Sequence, residues 1–106
     1  MAFEIDEVIG DMAQAIKGSV KEDWPDAKET VKQFLDRRKE RMKLIAELIL
    51  KGVLTVDSAK PYLDIEKKLL EMEILSISII TKAVAQNAAT KAIKVLMDAI
   101  KVAIPL

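Results

Sequence analysis

The sequence predicts an all-α helical bundle of three long helices, the third about 45 residues long, forming one domain over residues 1–106 and assembled as an oligomer. Three observations predict it. Glycine and proline are scarce, three of each, so few turns are signalled. Apolar residues make up 51% of the chain and aromatics only 4%, so the core is built from Ile, Leu, Val, Ala and Met, an aliphatic style common in bundles. From Ser58 to Ile104 there is no glycine and a single proline, Pro61, placed where a first helical turn tolerates it.

The first helix is expected from about Glu4 to Lys21, with Ile5, Val8, Ile9, Met12, Ile16 and Val20 as its apolar stripe. Asp6 and Glu7 near its start oppose the positive helix end favourably, while Gly10 and Gly18 weaken it modestly. Asp23-Trp24-Pro25-Asp26 marks a boundary, because Pro25 restricts Trp24 to extended backbone and suits the first position of the next helix.

A second helix is expected from Pro25 to about Lys51, its stripe running through Ala27, Val31, Phe34, Leu35, Met42, Ile45 and Ile49. Gly52 stands in the position of a C-terminal cap, with Val53 and Leu54 folding the turn onto the core. Asp57 and Ser58 are natural caps for helix three, with Thr55 as the alternative.

The third helix carries the most information. At 100° per residue Ile65, Leu69, Met72 and Ile80 share one face, whereas Ile93, Leu96, Ile100 and Ala103 share another, turned well away. From Ile74 to Ala85 it is apolar almost all round. A helix of this kind needs cover on several sides, which points to a second subunit or to a break. The unbroken helix is preferred, because Ala83, Ala85, Ala88, Ala89 and Ala92 are strong helix formers; a break near Gln86-Asn87, giving four helices, is the alternative. The expected oligomer interface consists of Ile77, Ile80, Val84, Ile93, Leu96 and Ile100.

Seventeen basic and seventeen acidic residues cancel, so the chain has no overall field for nucleic acid or an anionic membrane. The cancellation hides a gradient: residues 1–30 hold eight acids and three lysines, and residues 31–60 hold eight bases and four acids. The acidic first helix therefore suits the basic second one. The one basic cluster, Arg37 to Lys43, is interleaved with Asp36 and Glu40 and reads as a solvated face, except that Arg38 falls between Leu35 and Met42 in the apolar stripe, where it either snorkels to water or pairs with an Asp or Glu from a neighbouring helix.

With no cysteine and no histidine, thiolate or histidine metal sites, cysteine nucleophiles and histidine-based catalysis are excluded. The carboxylates Glu40, Glu47, Asp64, Glu66, Glu71 and Glu73 read as salt-bridged surface, and no catalytic residue, metal or cofactor is expected. The acidic start of the chain is unlike a secretory signal, and no uncharged run is long enough to span a bilayer, so a cytoplasmic protein is expected. The functional expectation is a non-enzymatic structural or protein-interaction module that self-associates through the apolar faces of its C-terminal helix. The alternative is a helical protein that binds a membrane surface or an apolar small ligand.

Overall fold

The computed structural model describes residues 3–105, so Met1, Ala2 and Leu106, within the single domain expected over 1–106, lie outside the description. These residues fold into α1 (Ile5–Val20), α2 (Trp24–Leu50), α3 (Val56–Leu75) and α4 (Lys82–Ala103), with no strand among them. The body measures 43 × 23 × 20 Å.

α1 runs into α2 through one 3-10 turn, Lys21–Asp23, without an intervening loop. The reversal is made at Lys21, whose φ of 54° is the one positive value on a non-glycine residue among those described. Trp24 takes helical angles, φ −54° and ψ −42°, despite the proline that follows. The restriction that Pro25 places on its predecessor is overridden because the 3-10 turn already delivers the chain in helical geometry. α2 ends in a Schellman motif: Val53 N–H donates to the Leu48 carbonyl at 2.9 Å and Gly52 N–H to Ile49 at 3.0 Å, with Gly52 at φ 79°. Leu54 packs partly against the core, whereas Val53 points outward.

Thr55, the alternative cap, is the one used at α3. Its hydroxyl accepts from Ser58 N–H at 3.0 Å, and the Ser58 hydroxyl accepts from Thr55 N–H at 2.8 Å, a reciprocal capping box. Because the helix therefore starts at Val56, Pro61 lies beyond its first turn rather than within it.

The preferred unbroken third helix is not what forms. The chain leaves helix at Ser76, ten residues before Gln86 of the Gln86-Asn87 pair considered for a break, and resumes it after Thr81. Gln86 and Asn87 lie inside α4, exposed to water. Three causes act together at 76–81. Ile77, Ile79, Ile80 and Thr81 are β-branched and lose side-chain freedom in a helix. The Ser76 hydroxyl donates to the Glu73 carbonyl at 2.6 Å, competing with the helical ladder. Thr81 then starts α4 by accepting from Val84 N–H at 3.3 Å.

With that break the four helices close on one another. The most extensive contact joins α1 to α4, followed by α3 with α4, α2 with α3 and α1 with α2. Met12, Ile16, Leu35, Met42, Leu63, Leu70, Ile74, Leu96 and Ile100 are almost fully buried at the centre. Ala85, Ala88, Ala89 and Ala92 of α4 have no exposed surface, and their small size lets α4 approach closely.

Candidate functional site: an uncovered apolar face on α3

α3 is apolar on two sides, and the bundle uses only one. Ala59, Leu63, Glu66, Leu70, Glu71 and Ile74 face inward. Tyr62, Ile65, Leu69 and Met72 form a second line, spaced three, four and three residues apart, the a/d spacing of a helix-pairing seam. Ile65 is 53% exposed, Met72 57% and Tyr62 42%, while Leu69 is half-buried. Ile65, Leu69 and Met72 belong to the face expected, with Ile80, to need cover; of these four only Ile80 is buried. The inward face carries Glu66, paired with Arg38 of α2, alongside Leu63, Leu70 and Ile74.

Arg38 is the central polar contact. Its guanidinium grips Glu66 through both carboxylate oxygens, Nε to Oε1 at 2.9 Å. Hydrogen bonding to Glu66 holds the Arg38 pKa above its ordinary value, with burial opposing. The adjacent Arg37 donates to Glu73, two turns beyond Glu66, at 3.2 Å and lies 5.8 Å from the Phe34 ring centre. Lys39 pairs with Asp6 of α1, so the acidic first helix does meet the basic second one.

Beside the seam, Arg41, Leu44, Ile45, Leu48, Leu54 and Tyr62 enclose a shallow hollow of about 190 Å³ between α2 and α3. Leu44 is exposed there, so the apolar surface continues from α2 onto α3 through Tyr62. At its other end lie Leu75 and Ile79, both exposed. A larger cleft of about 440 Å³ separates α1 from α4 on a different side, with Phe3, Val8, Val95, Ala99 and Val102 as its floor and Glu4, Glu7, Asp11 and Asp98 around it.

The six residues expected at an oligomer interface are placed otherwise. Ile80, Ile93, Leu96 and Ile100 are buried within the single chain, and Ile77 and Val84 are half-buried against the same core. Sequence reasoning missed Tyr62, Leu44 and the outward setting of Ile65 and Met72. The 3-4-3 spacing was there to be read; the signal it lacked was which of two apolar faces α2 would cover.

Among the described residues no three Asp or Glu side chains cluster as a metal would require. Asp64, Glu66, Glu71 and Glu73 are instead paired with Lys67, Arg38, Lys68 and Arg37. No helix among them is long and apolar enough to cross a membrane. No family model matches the chain, and neither curated proteins nor solved structures give a match.

Proposed function

We propose that this chain is a non-enzymatic, cytoplasmic protein-interaction module that self-associates, and that the surface it uses is the outer face of α3. The observation that carries this reading is the exposed Tyr62-Ile65-Leu69-Met72 line on a helix whose opposite face is already buried. The expected interface of Ile80, Ile93, Leu96 and Ile100 is occupied inside the monomer, so the contact surface moves to the first half of the original long stretch.

The occupant is a second copy. Side chains of this size expose on the order of 150–200 Å² when free. At their observed exposures Leu44, Tyr62, Ile65, Met72, Leu75 and Ile79 leave on the order of 500 Å² of apolar surface, a large part of the roughly 800 Å² per partner in a standard interface. A parallel two-fold pairing also places Lys68, at one edge of the seam, against Glu73 of the second copy, the five-residue offset that links g and e positions.

Light scattering tests this. The wild-type chain should move toward twice its 11.8 kDa as concentration rises from micromolar to millimolar, and Ile65→Glu with Met72→Glu should return it to monomer with helix content intact. A wild-type mass that stays at one chain throughout overturns the proposal.

A second reading rests on the α1–α4 cleft. Its apolar floor and acidic rim suit a small apolar ligand bearing a positive charge, and its volume lies within the usual range for such sites. Thermal shift with cationic amphiphiles, compared between wild type and Glu7→Gln with Asp11→Asn, separates this from self-association; no shift with any of them dismisses it.

A further inference from the structure

The connection between α3 and α4 differs from the other two. The α2–α3 turn depends on Gly52 and the α1–α2 turn on Lys21, both at positive φ. Ser76-Ile77-Ser78-Ile79-Ile80-Thr81 contains neither glycine nor proline, and no residue in it has positive φ. Its backbone already winds in helical sense: Ile77 N–H donates to Ile74 at 3.1 Å and Ile80 N–H to Ile77 at 2.9 Å, each a three-residue step. Continuous helix would need these three-residue bonds to become four-residue ones and Thr81, extended at ψ 160°, to turn helical.

Two local hydrogen bonds hold it open, Ser76 hydroxyl to the Glu73 carbonyl and Val84 N–H to the Thr81 hydroxyl. Meanwhile Leu75, just before the segment, and Ile79, within it, are exposed. The hinge thus carries apolar surface that the closed monomer does not use.

We propose that residues 76–81 act as an exchange hinge: they straighten, α3 and α4 become one helix, and two copies trade α4, each packing it on the α1 of the other chain. The partner is a second copy because the α4 surface of Ala92, Ile93, Leu96 and Ile100 then meets the α1 groove it already fits, now across subunits. Leu75 and Ile79 of both chains meet near the two-fold axis and lose their exposure. At low concentration the closed monomer prevails, since folding back costs no association entropy; at high concentration the exchanged dimer gains. The exchange shares Leu75 and Ile79 with the outer face of α3 but leaves Tyr62, Ile65 and Met72 outside the exchanged contact.

The chain has no cysteine, so an engineered pair reports cleanly. Asp11 and Val95 line one cleft from α1 and α4. Asp11→Cys with Val95→Cys, in an Ile65→Glu, Met72→Glu background that removes outer-face pairing, is refolded from denaturant at micromolar and at millimolar concentration, fractionated by size and oxidised. The dimer fraction should run as a covalent dimer on a non-reducing denaturing gel, and the monomer fraction as a single chain. Ser76→Ala with Ser78→Ala and Thr81→Ala should raise the dimer fraction several-fold, and Ser78→Pro, which cannot sit inside a continuous helix, should abolish it. A dimer whose disulfides stay within each chain, the absence of dimer in every variant, or equal dimer fractions for Ser78→Pro and its parent overturns the proposal.

Discussion

Arg38 reaches from α2 to hold both carboxylate oxygens of Glu66 on α3, with the Glu66 side chain 2% exposed. This contact orients α3. It spends the inward direction of the helix on one carboxylate and its apolar neighbours, and so leaves Ile65 and Met72 outside.

Breaking the pair from one side should be costly. Arg38→Met leaves a buried carboxylate without its partner and should lower stability by about 2–3 kcal/mol, nearer the hydrogen-bond range than the fully buried-pair range because the guanidinium is partly in water. Replacing both, Arg38→Met with Glu66→Leu, should recover most of that loss. Urea unfolding of the two single variants and the double decides it; additive losses would contradict a direct pairing.

Leu96 and Ile100 sit in the centre of the monomer, not on a surface awaiting a partner. Leu96→Ala should therefore destabilise the isolated chain by about 2–5 kcal/mol. Ile93→Glu with Ile100→Glu should unfold it. Circular dichroism at a concentration where the wild type is monomeric provides the check, and a folded double variant would mean that α4 is dispensable.

The glycines should separate by backbone angle. A Cβ at Gly10 or Gly18 would meet no atom within 4 Å, so alanine at each should stabilise by about 0.4–1 kcal/mol through helix propensity and the unfolded chain. Gly52 also has open space around it, but its φ of 79° penalises any side chain, and Gly52→Ala should cost about 1 kcal/mol. Thermal melts of the three variants should give two rises and one fall.

Stability should change little between pH 6 and 9, since no histidine is present. Lys39 is held above its ordinary pKa of 10.5, first by its hydrogen bond to Asp6 and then by the charge of that carboxylate. A raised pKa contributes stability that is complete below the unfolded value and is lost as pH climbs through the folded one. The advantage of the wild type over Lys39→Met should accordingly be complete at neutral pH and begin to decline only once pH passes the ordinary value of 10.5. An advantage that grows in alkali would refute the Lys39–Asp6 contact.

The helical class, the ends of α1 and α2 within a residue or two, and the Gly52 cap were legible because caps and apolar periodicity are local properties. The place where the long stretch divides was not. Attention to Gly, Pro and Asn as breakers passed over four β-branched residues in five positions, Ile77 to Thr81, whose effect is cumulative and weak at each site. The outward face of α3 was hidden for another reason: two apolar lines run along that helix in the sequence, and the covered one also carries Glu66, whose partner Arg38 sits on a different helix nearly thirty positions earlier.

The pairing of α1 chiefly with α4 also sets an order of events at the ribosome. Ile5, Met12 and Ile16 emerge well before the helix that chiefly covers them, which follows α2 and α3. For most of synthesis the amphipathic stripe of α1 has only α2 beside it, leaving a sticky surface exposed to chaperones and to neighbouring nascent chains. On a polysome the nearest free α4 can belong to another copy.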